Sequence, residues 1–368
     1  MFMMKKILSY LKSITISVVV FLILLAITNW AAGIYMAKKG GEKRHLLPAY
    51  QGEQEYAEAI FHDYHSIAHR YKPFAEWQML PYQGKTLSIN EQGLRTHTPP
   101  AGASANPVIH FFGGSTMWGE GSDDAHTIPA LVHQKLNTGT VINHGQLAYN
   151  SRQNLDALIS MYTKGETADV VIFYDGVNDA AFRCPNEIQE LPGHRLIPLF
   201  HKKIYGGARQ FVLTVLNNLF TENILLVIQY QQSKGDNRPS QYDCLNSDKG
   251  KSVASMLVKN WEMANELVTS KGGKFIAVLQ PVAYVGSPRI DHLELNAELG
   301  NNFRFVYDEV QKIISTQNQP WIHNFSQAFN GEEYIYIDFC HVTKSGNEII
   351  ANRLVDLLLH DTAQTDVK

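Results

Sequence analysis

Apolar and polar positions divide the chain into three regimes. The first is one uninterrupted apolar run, ITISVVVFLILLAITNWAAGIYM, residues 14–36, with no charged side chain in it. A helix rising 1.5 Å per residue over that length spans the roughly 30 Å hydrocarbon core of a bilayer. Lys5, Lys6 and Lys12 precede the run, and Lys38, Lys39, Lys43 and Arg44 follow it. Trp30 and Tyr35 lie near its far end, where amphipathic rings favour the membrane interface. A cleaved signal peptide is the rival reading, with Ala31-Ala32-Gly33 as a small-residue site, but the run exceeds the roughly 7–15 residues usual for such a segment. The pattern predicts an uncleaved transmembrane anchor over 14–36 behind a short basic N-terminus, residues 1–13.

The second regime, residues 37–107, is a juxtamembrane connector. EQEYAEAIFHDYHSIAHRY predicts an amphipathic helix. On it His62, His65 and His69 could share a face, either as a metal site or as a solvated histidine-rich surface. KTLSINEQGLRTHTPPAGASANP predicts a short hairpin followed by a loop.

From Val108 short apolar runs alternate with helical periods: VIHFF, TIPALVHQKL, TVIN, SRQNLDALISMY, DVVIFY. After an interruption at about 183–250 the alternation resumes with KSVASMLVKNWEMANELV, KFIAVLQPV, LGNNFRFVYDEVQKII, WIHNF and GNEIIANRLVDLLL. Continuous apolar strands alternating with helices predict a parallel sheet covered on both faces, over residues 108–360, with a tail at 361–368. Inside the interruption FVLTVLNNLFTENILLVIQY carries Asn217, Asn218 and Glu222, which make it a poor membrane span. A helix packed over the site or lying on the bilayer surface fits it better.

Composition narrows the class. Acidic residues number 35 and basic residues 32 in 368, a net charge of −3 with histidine neutral, so nothing favours a nucleic-acid partner. Apolar content of 45% against 18% charged supports a folded core. Three cysteines without a C-x-x-C pair exclude a disulfide-dense scaffold and a zinc knuckle.

Open parallel sheets place their chemistry at the carboxyl ends of the strands. The first strand of this region runs into FFGGSTMWGEG, where Ser115 stands past two glycines and ahead of a helix, well placed for a nucleophile. The third ends in FYDGVNDA, with Asn178 and Asp179 on a turn and Asp175 reading as turn chemistry. YIDFCHVTKSGNEIIA brings Asp338 and His341 onto one loop, three residues apart. A carboxylate that fixes the tautomer of a histidine base, together with a serine, completes the requirements for nucleophilic acyl transfer, in the chain order Ser, Asp, His.

These blocks resemble the SGNH hydrolases, the GDSL lipase/esterase superfamily, over roughly Pro107 to His360. The resemblance rests on GGST at 113–116, GVND at 176–179 and DFCH at 338–341. It implies a flavodoxin-like three-layer α/β/α sandwich behind the transmembrane helix, with Ser115 as nucleophile, Asp338 and His341 completing the triad, and Asn178 contributing an amide to the oxyanion hole. Where the family has Gly-Asp-Ser, Gly114 replaces the aspartate. The second block, VINHGQLAYNS, puts Ala148 where the family has an oxyanion glycine, with Gly145 as a substitute. The oxyanion donors implied are the N–H of Ser115, the N–H of Ala148 or Gly145, and the Asn178 side chain.

The implied activity is hydrolysis of an O-acyl ester, such as an acetylated glycan or a lipid, outside the cytoplasm on the periplasmic side of a bacterial membrane, with no cofactor and no metal. An O-acyltransferase acting on envelope polysaccharide and a catalytically idle binding protein remain open. In an oxidising compartment Cys184 and Cys244 could bridge the ends of the insertion and restrain it as a lid, whereas three buried thiols are the alternative. Cys340, between the triad residues, is left free.

Overall fold

The computed structural model describes residues 2–39, 43–184, 196–233 and 243–365. These fall into two compact units: residues 1–42 with 198–239, and residues 43–197 with 240–368.

In the first unit α1 (Phe2–Lys39) is one continuous helix. Its stretch Lys6–Met36 is long and apolar enough to cross a membrane.

The second unit opens with α2 (Gln54–His65), then a hairpin of β1 (His69–Lys72) and β2 (Glu76–Met79), and a second of β3 (Tyr82–Gln83) and β4 (Ser88–Ile89). The helix expected through His69 stops at His65, because the chain turns at Ser66 and His69 enters β1. His62, His65 and His69 therefore share no helical face. The His65 ring nitrogen Nδ1 instead sits 2.6 Å from the Phe61 carbonyl.

Five parallel strands build the centre: β5 (Val108–Gly113), β6 (Thr140–Asn143), β7 (Val170–Asp175), β8 (Lys274–Leu279) and β9 (Ile322–Asn324). Their spatial order is β6-β5-β7-β8-β9. Interleaved with them along the chain run α3 (Ser115–Trp118), α4 (Ile128–Leu136), α5 (Ser151–Thr163), α6 (Val177–Arg183), α10 (Ser247–Ser270), α11 (Ala297–Gln317) and α12 (Lys344–Thr365), whereas α7 (Leu196–Tyr205), α8 (Gly207–Phe220) and α9 (Glu222–Ser233) fall almost wholly in the first unit. The last helix continues to Thr365, into the stretch expected as a tail. The strand runs picked out by their apolar continuity are all present, because a sheet buried on two faces has no polar side to write into the sequence. Ile109 and Phe111 of β5 face a core shared with α4 and α12. Phe112 packs against Phe173 with tilted rings on the opposite face, which α5 and α10 cover.

The connector from Lys43 onward is integral to this second unit. Arg95 is buried and donates to the carbonyls of Trp118, Gly119 and Ser122, pairs with Asp124 at 3.0 Å, and lays its guanidinium over the Trp118 ring. It thereby holds the turn that follows Ser115. Trp77 Nε1 reaches the Leu147 carbonyl at 2.8 Å, and the Tyr50 hydroxyl reaches Gly121 O at 2.6 Å. Replacing Arg95 by methionine strands several buried carbonyl acceptors at about 1–3 kcal/mol each. We expect Arg95→Met to lower the thermal midpoint sharply in detergent-solubilised protein; an unchanged midpoint would contradict this assignment.

Candidate active site

Ser115 heads α3, directly past the end of β5, where the first N–H groups of a helix have no partner inside it. Asp338 and His341 stand on the loop before α12. The fold brings the three together. Ser115 Oγ lies 2.7 Å from His341 Nε2, and His341 Nδ1 lies 2.7 Å from Asp338 Oδ2. The other carboxylate oxygen of Asp338 accepts from the backbone N–H groups of Cys340 (2.9 Å) and His341 (2.8 Å), which locks the loop around it.

A fourth group, which sequence reasoning missed, shares the imidazole. Glu120 Oε2 sits 3.1 Å from His341 Nε2, the nitrogen that also faces the serine. Its other oxygen takes a 2.7 Å contact from Arg44, and the same guanidinium nitrogen stands 3.3 Å from Asp338. Arg44 lies 4.4 Å over the Phe61 ring, so α2 supports it. Glu120 was legible as a carboxylate five residues past the candidate nucleophile, behind the left-handed Gly119 that ends α3. Arg44 was hidden in a basic run that reads as a membrane flank.

These charges set the proton affinities. Burial alone would lower the His341 imidazole, but the neighbouring carboxylates Asp338 and Glu120 outweigh it and hold it well above the ordinary histidine range. Burial alone would raise Asp338, yet the His341 charge and the hydrogen bonds it receives hold it well below the usual carboxylate range. Burial pushes the Cys340 thiol up to about 12, so it is neutral and adds no charge at physiological pH.

In the second block Ala148 and Gly145 differ in backbone geometry. Ala148 takes φ +62°, the left-handed conformation in which glycine is the ordinary residue. Gly145 plays a different part. Its N–H already donates to Asn143 Oδ1 at 2.9 Å, and a Cβ there would come within 2.5 Å of the Trp118 backbone nitrogen. Asn178 donates one side-chain N–H to the Tyr149 carbonyl at 2.7 Å, which fixes its amide beside this loop.

Asp175 is not turn chemistry. It ends β7 fully inside the unit and accepts from Asn154 Nδ2 (2.6 Å) and Trp261 Nε1 (2.9 Å). Burial, and then the charge of Asp179, push its carboxyl up to about 8. Asp179 receives Ser151 Oγ at 2.6 Å. Together they pin α6, and with it Asn178, to α5 and α10.

A cleft of about 590 Å³ reaches Asp338 but neither Ser115 nor His341; Leu47, Leu293, Leu295 and Phe339 line it together with Lys43, Arg44 and Glu294. A second, of about 450 Å³, lies along β6 and the 99–105 loop and contains none of the three residues. Two groups of ligand-type side chains converge among the described residues: Asp338, Cys340 and His341, and His110, His144 and Glu166. In the second, His110 Nδ1 and His144 Nε2 are 2.8 Å apart and His110 Nε2 faces the Thr167 carbonyl, so the rings already serve one another and the backbone.

No family model matches the chain, and no curated protein matches it. Solved structures similar to it include LAE5, an alpha/beta hydrolase enzyme from the metagenome of Lake Arreo, Spain. It shows 14% identity over 69% of this chain and 95% of that one, with a TM-score of 0.36. The acetyl xylan esterase AlAXEase shows 13% identity over 68% and 99%, with a TM-score of 0.36. A putative lipolytic protein of the G-D-S-L family from Desulfitobacterium hafniense DCB-2 shows 12% over 68% and 99%, with a TM-score of 0.38. At such identities and scores the likeness bears no weight beside the sheet order and the side-chain distances.

Two outcomes follow from the geometry. Glu120→Gln removes a negative charge beside Nε2 and should lower the His341 pKa, read from imidazole resonances in an NMR titration. An unmoved pKa would mean that the carboxylate does not act on the ring. Ala148→Gly relieves a left-handed alanine and should raise stability by about 1 kcal/mol in thermal unfolding; a loss of stability would contradict the strain.

Proposed function

We propose that the protein is a bilayer-anchored serine esterase of the SGNH/GDSL kind. The observation that carries this reading is the pair of 2.7 Å contacts linking Ser115, His341 and Asp338. In the proposed reaction Ser115 Oγ attacks the ester carbonyl while His341 takes its proton, forming a tetrahedral oxyanion. The N–H of Ser115, the N–H of Ala148 and the second side-chain N–H of Asn178 stabilise that charge. Collapse expels the alcohol, which receives the proton from His341, and leaves an acyl-serine. Water, deprotonated by His341, then releases the acid and restores Ser115. Glu120 and Asp338 both stabilise the imidazolium that each half-reaction needs.

The leucine-lined part of the cleft beside Asp338 fits an apolar portion of an ester lying away from Ser115. The substrate class is an O-acyl ester of a glycan or lipid outside the cytoplasm. The compartment reading draws on residues 14–36 as the anchor and on a Cys184–Cys244 disulfide, a bond that persists in oxidising spaces. The hydrolase domain in this reading comprises the unit from Lys43 onward, connector included.

Ser115→Ala and His341→Ala should each lower hydrolysis of short aryl esters by about 10⁴-fold or more with folding retained. Asn178→Ala should cost about 10²- to 10³-fold. A base whose proton affinity is raised by neighbouring carboxylates gives up its proton at higher pH than an ordinary imidazole. Wild-type kcat/KM should therefore rise on the alkaline side, and the Glu120→Gln profile should move toward lower pH. Full activity in folded Ser115→Ala would end the nucleophile assignment. Preferential acyl transfer to an added glycan acceptor over water would make the same site a transferase.

A further inference from the structure

We propose that the insertion helices α8 and α9 are embedded in the bilayer beside α1, as a re-entrant element whose broken backbone is capped by Asn29 of the anchor. This rests on reading α1 as membrane-spanning and is independent of the esterase chemistry.

The first observation is a polar residue in the wrong place. Asn29 lies in the apolar run of α1 and is 3% exposed, whereas the flanking Ile27 and Trp30 are 55% and 68% exposed. Its side chain faces the junction of α8 and α9, which bend by 63° at Thr221. There Asn29 Nδ2 donates to the Asn218 carbonyl at 2.8 Å. Asn29 Oδ1 accepts from the backbone N–H groups of Asn223 (2.9 Å) and Ile224 (3.3 Å). One amide thus satisfies the last turn of one helix and the first turn of the next.

In water those orphan groups need no such partner, since solvent supplies it. In hydrocarbon each unsatisfied group costs several kcal/mol, and a helix break is tolerated only where a neighbour pairs the freed groups. The approach is close: a Cβ on Gly33 would lie 2.9 Å from the Asn223 side-chain nitrogen. Thr221 Oγ1 also pairs with Asn217 at the break, while Asn218 and Glu222 remain exposed there.

Away from the break, where Asn218 and Glu222 are exposed, the outward faces are apolar. Phe211, Val212, Leu216, Leu219, Leu225 and Ile228 are exposed, and Glu222 is the single charge between Gln210 and Tyr230. This surface continues that of α1, which exposes Phe21, Ile23, Leu24 and Ile27. The insertion is tied at its foot by Cys184–Cys244, so it leaves the bilayer on the side by which it entered. A re-entrant element satisfies that closure and a single crossing does not.

The test is spin labelling of the full chain in phosphatidylethanolamine/phosphatidylglycerol vesicles, at Leu216→Cys and Leu225→Cys, with Val19→Cys as the anchor reference. Collision with oxygen should exceed collision with a water-soluble nickel complex at all three positions. Nickel access at 216 and 225 with oxygen preference at 19 would overturn the embedding while leaving the anchor intact. Nickel access at all three would overturn the anchor reading and the proposal with it. Low access to both reagents at 216 and 225 would mean that a protein covers them, which also overturns it. Asn29→Leu should speed amide exchange at Asn223 and Ile224 in the same vesicles, and unchanged exchange would remove the capping role.

Discussion

The site depends on one partly buried imidazole held among oxygen atoms. His341 meets Asp338 through Nδ1, and through Nε2 it meets both Ser115 and Glu120. Two carboxylates around one ring would repel each other, and Arg44 answers that by touching both. Around this the rest follows. The loop before α12 must present Asp338 and His341 together, α3 must begin at Ser115, and the connector must fold back so that Arg44 arrives at the same point. Arg95 and Tyr50 secure the 118–122 turn that carries Glu120.

How much of this was legible in the sequence varied with how far apart the partners lie. The five central strands stand out because burial on both faces leaves continuous apolar runs, and DFCH places two site residues within one loop. Ala148 could be aligned but its conformation could not be known; its φ of +62° is a tertiary imposition on a residue that does not prefer it. Asp175 was misread because a local turn signal competes with long-range partners, Asn154 and Trp261, that no local pattern reveals. The histidines near residue 65 failed for a simpler reason, since periodicity was extended past the turn at Ser66. Arg44 and Glu120 are separated by most of the connector, and only the fold brings them into contact.

The insertion shows the same limit from another side. Asn217, Asn218 and Glu222 mark it as too polar for an ordinary span, and that reading holds for a straight helix. In the proposed re-entrant element the two helices break at Thr221, where Thr221 pairs with Asn217 and Asn29 takes the freed backbone groups. Composition counts polar residues but cannot say which of them are satisfied internally.

The central claim is that Ser115 is a nucleophile activated by His341. The most direct test is reaction of the full-length protein with a fluorophosphonate, followed by mass spectrometry of the labelled peptides. The account predicts one adduct, on Ser115, formed faster as pH rises and absent in His341→Ala. Labelling at another serine, or none in folded wild-type protein across the alkaline range, would contradict it.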